Sequence, residues 1–199
     1  MQNIDEHFDI LKEIGNIGAG NAVTALSQIL NKKIKMSVPN INLSDFKDVA
    51  TFVGGPEKLI IGILVNVSGD INGIMMFIVR LESARILTNS MFSSDKSGSD
   101  FDEIELSALK EVGNILASSY LGSLASLINK KISLSVPYIS IDMANAILSV
   151  PAIEFSKVAD RVLFIESVFE ADKQDVSGYF VLVPDMPSFN LILSSLGVV

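Results

Sequence analysis

Two stretches of this 199-residue chain place a glutamate and an asparagine at the same spacing. Residues 12–17 read Lys-Glu-Ile-Gly-Asn-Ile, and residues 110–115 read Lys-Glu-Val-Gly-Asn-Ile. In each copy a proline follows the asparagine after 22 intervening residues, Asn16 to Pro39 and Asn114 to Pro137. Residues 11–43 align with 109–141 without a gap, 16 of 33 positions being identical. Shared packing would keep the apolar pattern of such a repeat, but it gives no reason to keep an acid and an amide on the polar side of a helix twice. The pairs Glu13/Asn16 and Glu111/Asn114 are therefore the candidates for chemistry.

The rest of the composition narrows what that chemistry could be. There is no cysteine, and the one histidine is His7. Thiolate zinc sites, a cysteine nucleophile and disulfides are excluded, and His7 alone builds neither a metal site nor a Ser-His-Asp triad. An amide is a poor base, yet it can hold a water by accepting and donating hydrogen bonds. Phosphoryl transfer proceeds through a loose transition state in which catalysis is mostly positioning, so an asparagine suits it if the substrate brings its own metal. The glutamate could then pair with a lysine near the phosphoryl group on a second protein. Two rival readings are weaker. The run Gly15 to Gly20 could cradle a phosphate, but no strand precedes it and the second copy lacks Gly18 and Gly20. A paired-carboxylate hydrolase could use Asp9 and Glu13, but the second copy has Ser107 in place of Asp9.

These residues need helices to carry them. At about 100° per residue, Asp9, Glu13 and Asn16 fall on one narrow stripe, with Ile10, Leu11, Ile14 and Ile17 on the core side. Ser107, Glu111 and Asn114 repeat the stripe, with Leu109, Val112, Ile115 and Leu116 behind it. Gly15 and Gly113 lie inside these helices, where glycine costs about 1 kcal/mol relative to alanine, which suggests close approach by another backbone. Helices are expected over 5–30 and 102–128, each followed by a strand broken at its proline (34–43 and 132–141). Strands 59–67 and 74–79 form a hairpin, and a helix spans 81–92. The polar run 93–100 is a linker. The second half adds an extra short helix near 142–148, strands near 162–169 and 179–183, and a helix near 188–196. Matching Gly73 to Gly178 suggests about seven inserted residues. The fold class is α+β, internally duplicated, with pseudo-two-fold αβ units and a mostly antiparallel sheet. One domain of two repeats is expected, about 1–92 and 101–199, joined by linker 93–100.

About half the residues are apolar, which is enough for a full core. The net charge of −8 argues against nucleic acid or an anionic membrane as partner. With no signal-like N-terminus and no membrane-length apolar run, a cytoplasmic protein without membrane insertion is expected. Internal duplication removes the need for a homodimer, so a monomer is expected.

The patterns Asp9-x3-Glu13-x2-Asn16-x22-Pro39 and Ser107-x3-Glu111-x2-Asn114-x22-Pro137 resemble the signature of the CheC/CheX/FliY family of CheY-P phosphatases. The likeness spans essentially the whole chain, and two intact motifs set it beside the CheC-type members. The resemblance implies a chemotaxis phosphatase that hydrolyses the aspartyl phosphate of a CheY-type response regulator. Asn16 and Asn114 would orient the attacking water, and Glu13 and Glu111 would bind the regulator's lysine. Asp9 and Ser107 would support the contact surface, with Pro39 and Pro137 structural. It further implies no cofactor or metal of the chain's own, with magnesium bound in the partner's receiver domain. The receptor deamidase CheD would be a second partner, docking near Asp142, Met143 and Ala146. The alternative is a non-catalytic adaptor that binds CheD or the flagellar switch.

Overall fold

A computed structural model describes residues 2–30, 32–37, 40–154, 161–171 and 174–197. Helix α1 (Gln2–Leu30) leads into short edge strands β1 (Lys35–Met36) and β2 (Asn40–Asp45), then a 3-10 turn (Phe46–Asp48) and a short helix α2 (Val49–Phe52). The hairpin β3 (Leu59–Gly69) and β4 (Gly73–Arg80) follows, then α3 (Leu81–Phe92). The second half gives α4 (Glu103–Leu127), β5 (Ile132–Leu134), β6 (Tyr138–Met143), α5 (Ala144–Glu154), β7 (Arg161–Ala171), β8 (Gln174–Pro184) and α6 (Met186–Ser195).

The eight strands of the described residues form one antiparallel sheet in the order β1-β7-β8-β4-β3-β5, with β2 continuing β1 on β7 and β6 continuing β5 on β3. Alternate residues of β3 serve opposite faces, as the strand period of two requires. Ile61, Ile63, Val65 and Val67 pack under α1, α3, α4 and α6, while Ile60 and Leu64 face α2 and α5. The central strands are thus buried on both sides, which explains why β3 and β4 read as nearly continuous apolar runs.

The duplication is visible in the register. Strand β2 corresponds to β6 at an offset of 98, Asn40 to Tyr138, and β3 corresponds to β7 at 102, Leu59 to Arg161. The two halves meet at β4 and β8, where Phe77 stands opposite its own equivalent, Phe180, with ring centroids 4.7 Å apart. The growth of the offset from 98 to 102 gives four inserted residues ahead of β7, not seven. The hairpin pair Val67–Gly73 corresponds to Phe169–Val176, so Gly73 and Gly178 are not equivalent. Nor is α5 an extra element, because the 3-10 turn and α2 occupy the same place in the first half. The insertion makes α5, at 11 residues, one turn longer than that counterpart of 3 and 4 residues.

Small residues set how closely the long helices pack. A Cβ on Gly113 would lie 2.6 Å from Ile63 Cγ2, so the glycine lets α4 settle onto β3. The neighbour it admits is a side chain, where the sequence suggested a backbone. Backbone approach occurs instead at Gly18, whose missing Cβ would lie 3.1 Å from Tyr120 Cα and closer still to the Tyr120 ring. Tyr120 ties α1, α4 and the sheet together, with its hydroxyl 2.8 Å from Ser167 Oγ and its ring 4.7 Å from that of Phe180. Burial pushes the Tyr120 hydroxyl up to about 12, against the Ser167 hydrogen bond that lowers it. Ile17, expected on the core side, is exposed beside the α1–α4 seam.

Candidate functional site

The second motif assembles from three pieces of backbone. Helix α4 supplies Ser107, Glu111 and Asn114 on one face, the β5–β6 connection supplies Ser135 to Pro137, and the end of α3 supplies Met91 and Phe92. Together they line an open cleft of about 1040 Å³. Ser107 and Glu111 are exposed and Asn114 is half-buried. Among the described residues, the side chains of Lys110, Glu111 and Asn114 have no hydrogen-bond or ion-pair partner, so all three are available to a ligand. The four second-copy motif positions, separated by up to 30 residues in sequence, are thereby brought to one surface.

The start of α4 is fixed by a network just ahead of Ser107. Asp102 caps the helix by accepting from the Glu105 amide at 2.9 Å, and Glu105 returns the bond by accepting from the Asp102 amide at 3.0 Å. Glu105 is also the buried partner of Arg85 on α3, at 2.5 Å, and of Lys96 at 3.3 Å. Arg85 in turn donates to the carbonyls of Gly98 and Asp100 and stacks 4.1 Å from the centroid of Phe101. Segment 93–100 is consequently strapped to α3 and α4. Burial pushes the Glu105 carboxyl up, but the Asp102 amide, Lys96 and Arg85 outweigh it and hold the group below its ordinary value of 4.5.

The proline acts on the other wall. Strands β5 and β6 both pair with β3, but their registers differ by one: Leu134 faces Val67, and Tyr138 faces Leu64. Three residues, 135–137, therefore oppose two, 65–66, which is a β-bulge centred where proline cannot donate to the ladder. Ser135 clamps it, its amide donating to Asn66 O and its hydroxyl accepting from Asn66 N, both at 3.0 Å. The bulge turns Val136 outward, 84% exposed, and sets Pro137 beside the α4 stripe. In the first half the registers of β1 and β2 on β7 differ by the same single residue. Ser37 occupies the equivalent clamp position, its amide donating to Val168 O at 2.8 Å.

Asn16 is exposed on α1, where the sequence places it. Pro39 and the side chains of Asp9 and Glu13 lie outside the described residues. Asp142 and Met143 fall on β6 rather than on a helix, and Ala146 is in the first turn of α5; all three are exposed at one strand–helix junction. Met143 pairs in register with Leu59, and both are about half exposed, at 49% and 47%. Sequence reasoning did not single out the apolar rim of the cleft, Phe92, Ile104 (69% exposed) and Val136. An isoleucine in the first turn of a helix whose apolar face lies elsewhere was its only signal. Among the described residues no cluster of His, Cys, Asp or Glu could hold a metal ion, and no helix is long and apolar enough to cross a membrane.

Comparison with known proteins matches the same two regions. The CheC-like family model matches residues 6–43 and 104–141, the two motif copies at their offset of 98. Over 97% of its length the chain is 36% identical to the CheY-P phosphatase CheC of Bacillus subtilis (strain 168), covering 95% of that protein. Its fold is similar to that of Thermotoga maritima FliY, with a TM-score of 0.75, 24% identity and 96% of each chain covered. A more distant fold likeness, TM-score 0.51 at 16% identity, covers 83% of this chain and 95% of a chain in the CheX–CheY–BeF3–Mg2+ complex of Borrelia burgdorferi.

Proposed function

The chain belongs to the CheC-like family, and on that footing we propose that it hydrolyses the aspartyl phosphate of a CheY-type response regulator. The observation that carries this reading is the convergence of Ser107, Glu111, Asn114 and Pro137 on one open cleft with the acid and amide unpartnered. An open cleft of that kind suits a macromolecular partner that brings the reacting group with it, rather than a small substrate enclosed by the protein. The Asn114 amide would hold a water in line with the phosphorus. Attack by that water breaks the phosphorus–oxygen bond to the aspartate, releasing phosphate and a free carboxylate. Glu111 would pair with a lysine beside the phosphoryl group, and Ser107 would support the contact. Magnesium in the receiver would neutralise charge on the phosphoryl oxygens. Asn16 and Glu13 on α1, with Asp9 and Pro39, would form the second such site. In this reading the two repeats, about 1–92 and 101–199 with linker 93–100, act as one monomeric unit.

A second reading, a non-catalytic adaptor for CheD or the flagellar switch, is favoured by the exposed apolar pair Leu59–Met143 beside Asp142 and Ala146. Both readings expect the receiver to bind, so turnover separates them. With catalytic amounts of this protein, phosphorylated receiver and magnesium, phosphate release should accelerate over many turnovers. Receiver binding without acceleration would leave the adaptor.

A further inference from the structure

The repeated phrase begins with a lysine in both copies, and the phosphatase reading assigns that lysine nothing. Lys110 lines the same cleft as Glu111 and Asn114. On the helix it lies about 40° from Asn114, on the side away from Glu111, so the amide sits between a cation and an anion. Lys110 is half-buried, and among the described residues its ammonium has no ion-pair or hydrogen-bond partner. Lys35, Lys47, Lys58 and Lys96, by contrast, are paired with Glu170, Asp45, Glu82 and Asp102. The chain as a whole carries a charge of −8, so a partner presenting an anionic phosphoryl group meets general repulsion. A local cation beside the reactive amide offsets that repulsion where it matters.

Resting on the phosphatase reading, we propose that Lys110, and Lys12 at the equivalent place in α1, are positioning residues that anchor the anionic phosphoryl site of the partner. The lysine acts on binding and orientation, and the asparagine on the water. Lysine suits this as a compact charge on a long stem that can follow the partner's surface.

The test is binding of a receiver domain loaded with fluoroberyllate and magnesium, a stable stand-in for the aspartyl phosphate, alongside phosphate release from the phosphorylated receiver. Lys12→Met/Lys110→Met removes both charges while keeping the apolar stems. The double variant should bind about tenfold more weakly at low salt, the loss expected for one charge-assisted contact per site. Its affinity should fall less steeply with salt than that of the parent, and Lys12→Arg/Lys110→Arg should recover most of the loss. Unchanged affinity and salt dependence in the double variant, with an unchanged melting temperature, would overturn the proposal. So would a loss of affinity that the arginine variant fails to recover. If the parent binds the loaded receiver in this lysine-dependent way but does not speed phosphate release, the lysine assignment stands and the phosphatase reading fails.

Discussion

Glu111 and Asn114 share a cleft and a helix face, yet the proposed chemistry gives them different tasks. The glutamate is exposed and can pair with a cation on the partner, whereas the half-buried amide is suited to holding a water. Their variants should therefore fail differently. Glu111→Ala in the Asn16→Ala background is expected to raise KM for the phosphorylated receiver about tenfold with a smaller change in kcat, because it removes a contact made before the chemical step. Steady-state phosphate release over a range of receiver concentrations checks this. Loss of kcat at unchanged KM would move Glu111 from anchoring to chemistry. Ser107, where the first copy has Asp9, lies at the N-terminal end of the same stripe. Since serine and aspartate both stand there, Ser107→Ala should cost less than either neighbouring variant.

At the scale of the element, α4 has to start in the right place and lie close to the sheet. Its start depends on Glu105, whose pKa is lowered in the folded state. Such a group adds stability above its ordinary pKa of 4.5, and that stability is lost as pH falls through the lower folded value. Glu105→Ala also leaves Arg85 buried without its anion, a change that costs about 3–5 kcal/mol. In melting experiments the native protein should lose stability on acidification below pH 4.5, and Glu105→Gln should start lower and show a flatter acid limb. Its closeness to the sheet depends on Gly113. Gly113→Ala gains helix propensity but presses on Ile63, and overpacking should win by about 1–2 kcal/mol. Combined with Ile63→Ala, which by itself costs about 2–5 kcal/mol as a cavity in the core, the total loss should be smaller than the sum of the two single variants.

These elements also mark how far the sequence could be read. The two long helices, the β3–β4 hairpin, α3 and the edge strands broken at proline were legible from period and turn chemistry, because each is dictated locally. The place of Asp142 and Met143 was not. Apolar and polar residues mix over 138–148, and the strand expected to end at 141 runs on through Asp142 and Met143 because these pair with Ile60 and Leu59 on β3. The size of the insertion was misread because Gly73 and Gly178 look alike in sequence while the ladder pairs Gly178 with Val79 and sets Val176 in Gly73's place. At the candidate site, repetition in the sequence singles out the acid, the amide and the proline, and the fold brings the second-copy set to one cleft. The apolar rim was not legible in this way, since Phe92, Ile104 and Val136 meet only in the fold.

In the whole molecule the two repeats are welded through β4 and β8, with Phe77 stacked on Phe180 and Tyr120 packed against the latter. Phe180→Ala should cost about 3–5 kcal/mol and lower the single unfolding transition of both halves together. Two separate transitions in calorimetry would mean that the repeats are independent. The same duplication places one motif on each long helix, so the molecule should carry two working sites. The direct test is phosphate release from an aspartyl-phosphorylated CheY-type receiver with magnesium, driven by catalytic amounts of the native chain, Asn16→Ala, Asn114→Ala and the double variant. The native chain should accelerate release, each single variant should keep part of that acceleration, and the double variant should lose it while still folding. Full acceleration by a folded Asn16→Ala/Asn114→Ala protein would contradict the account.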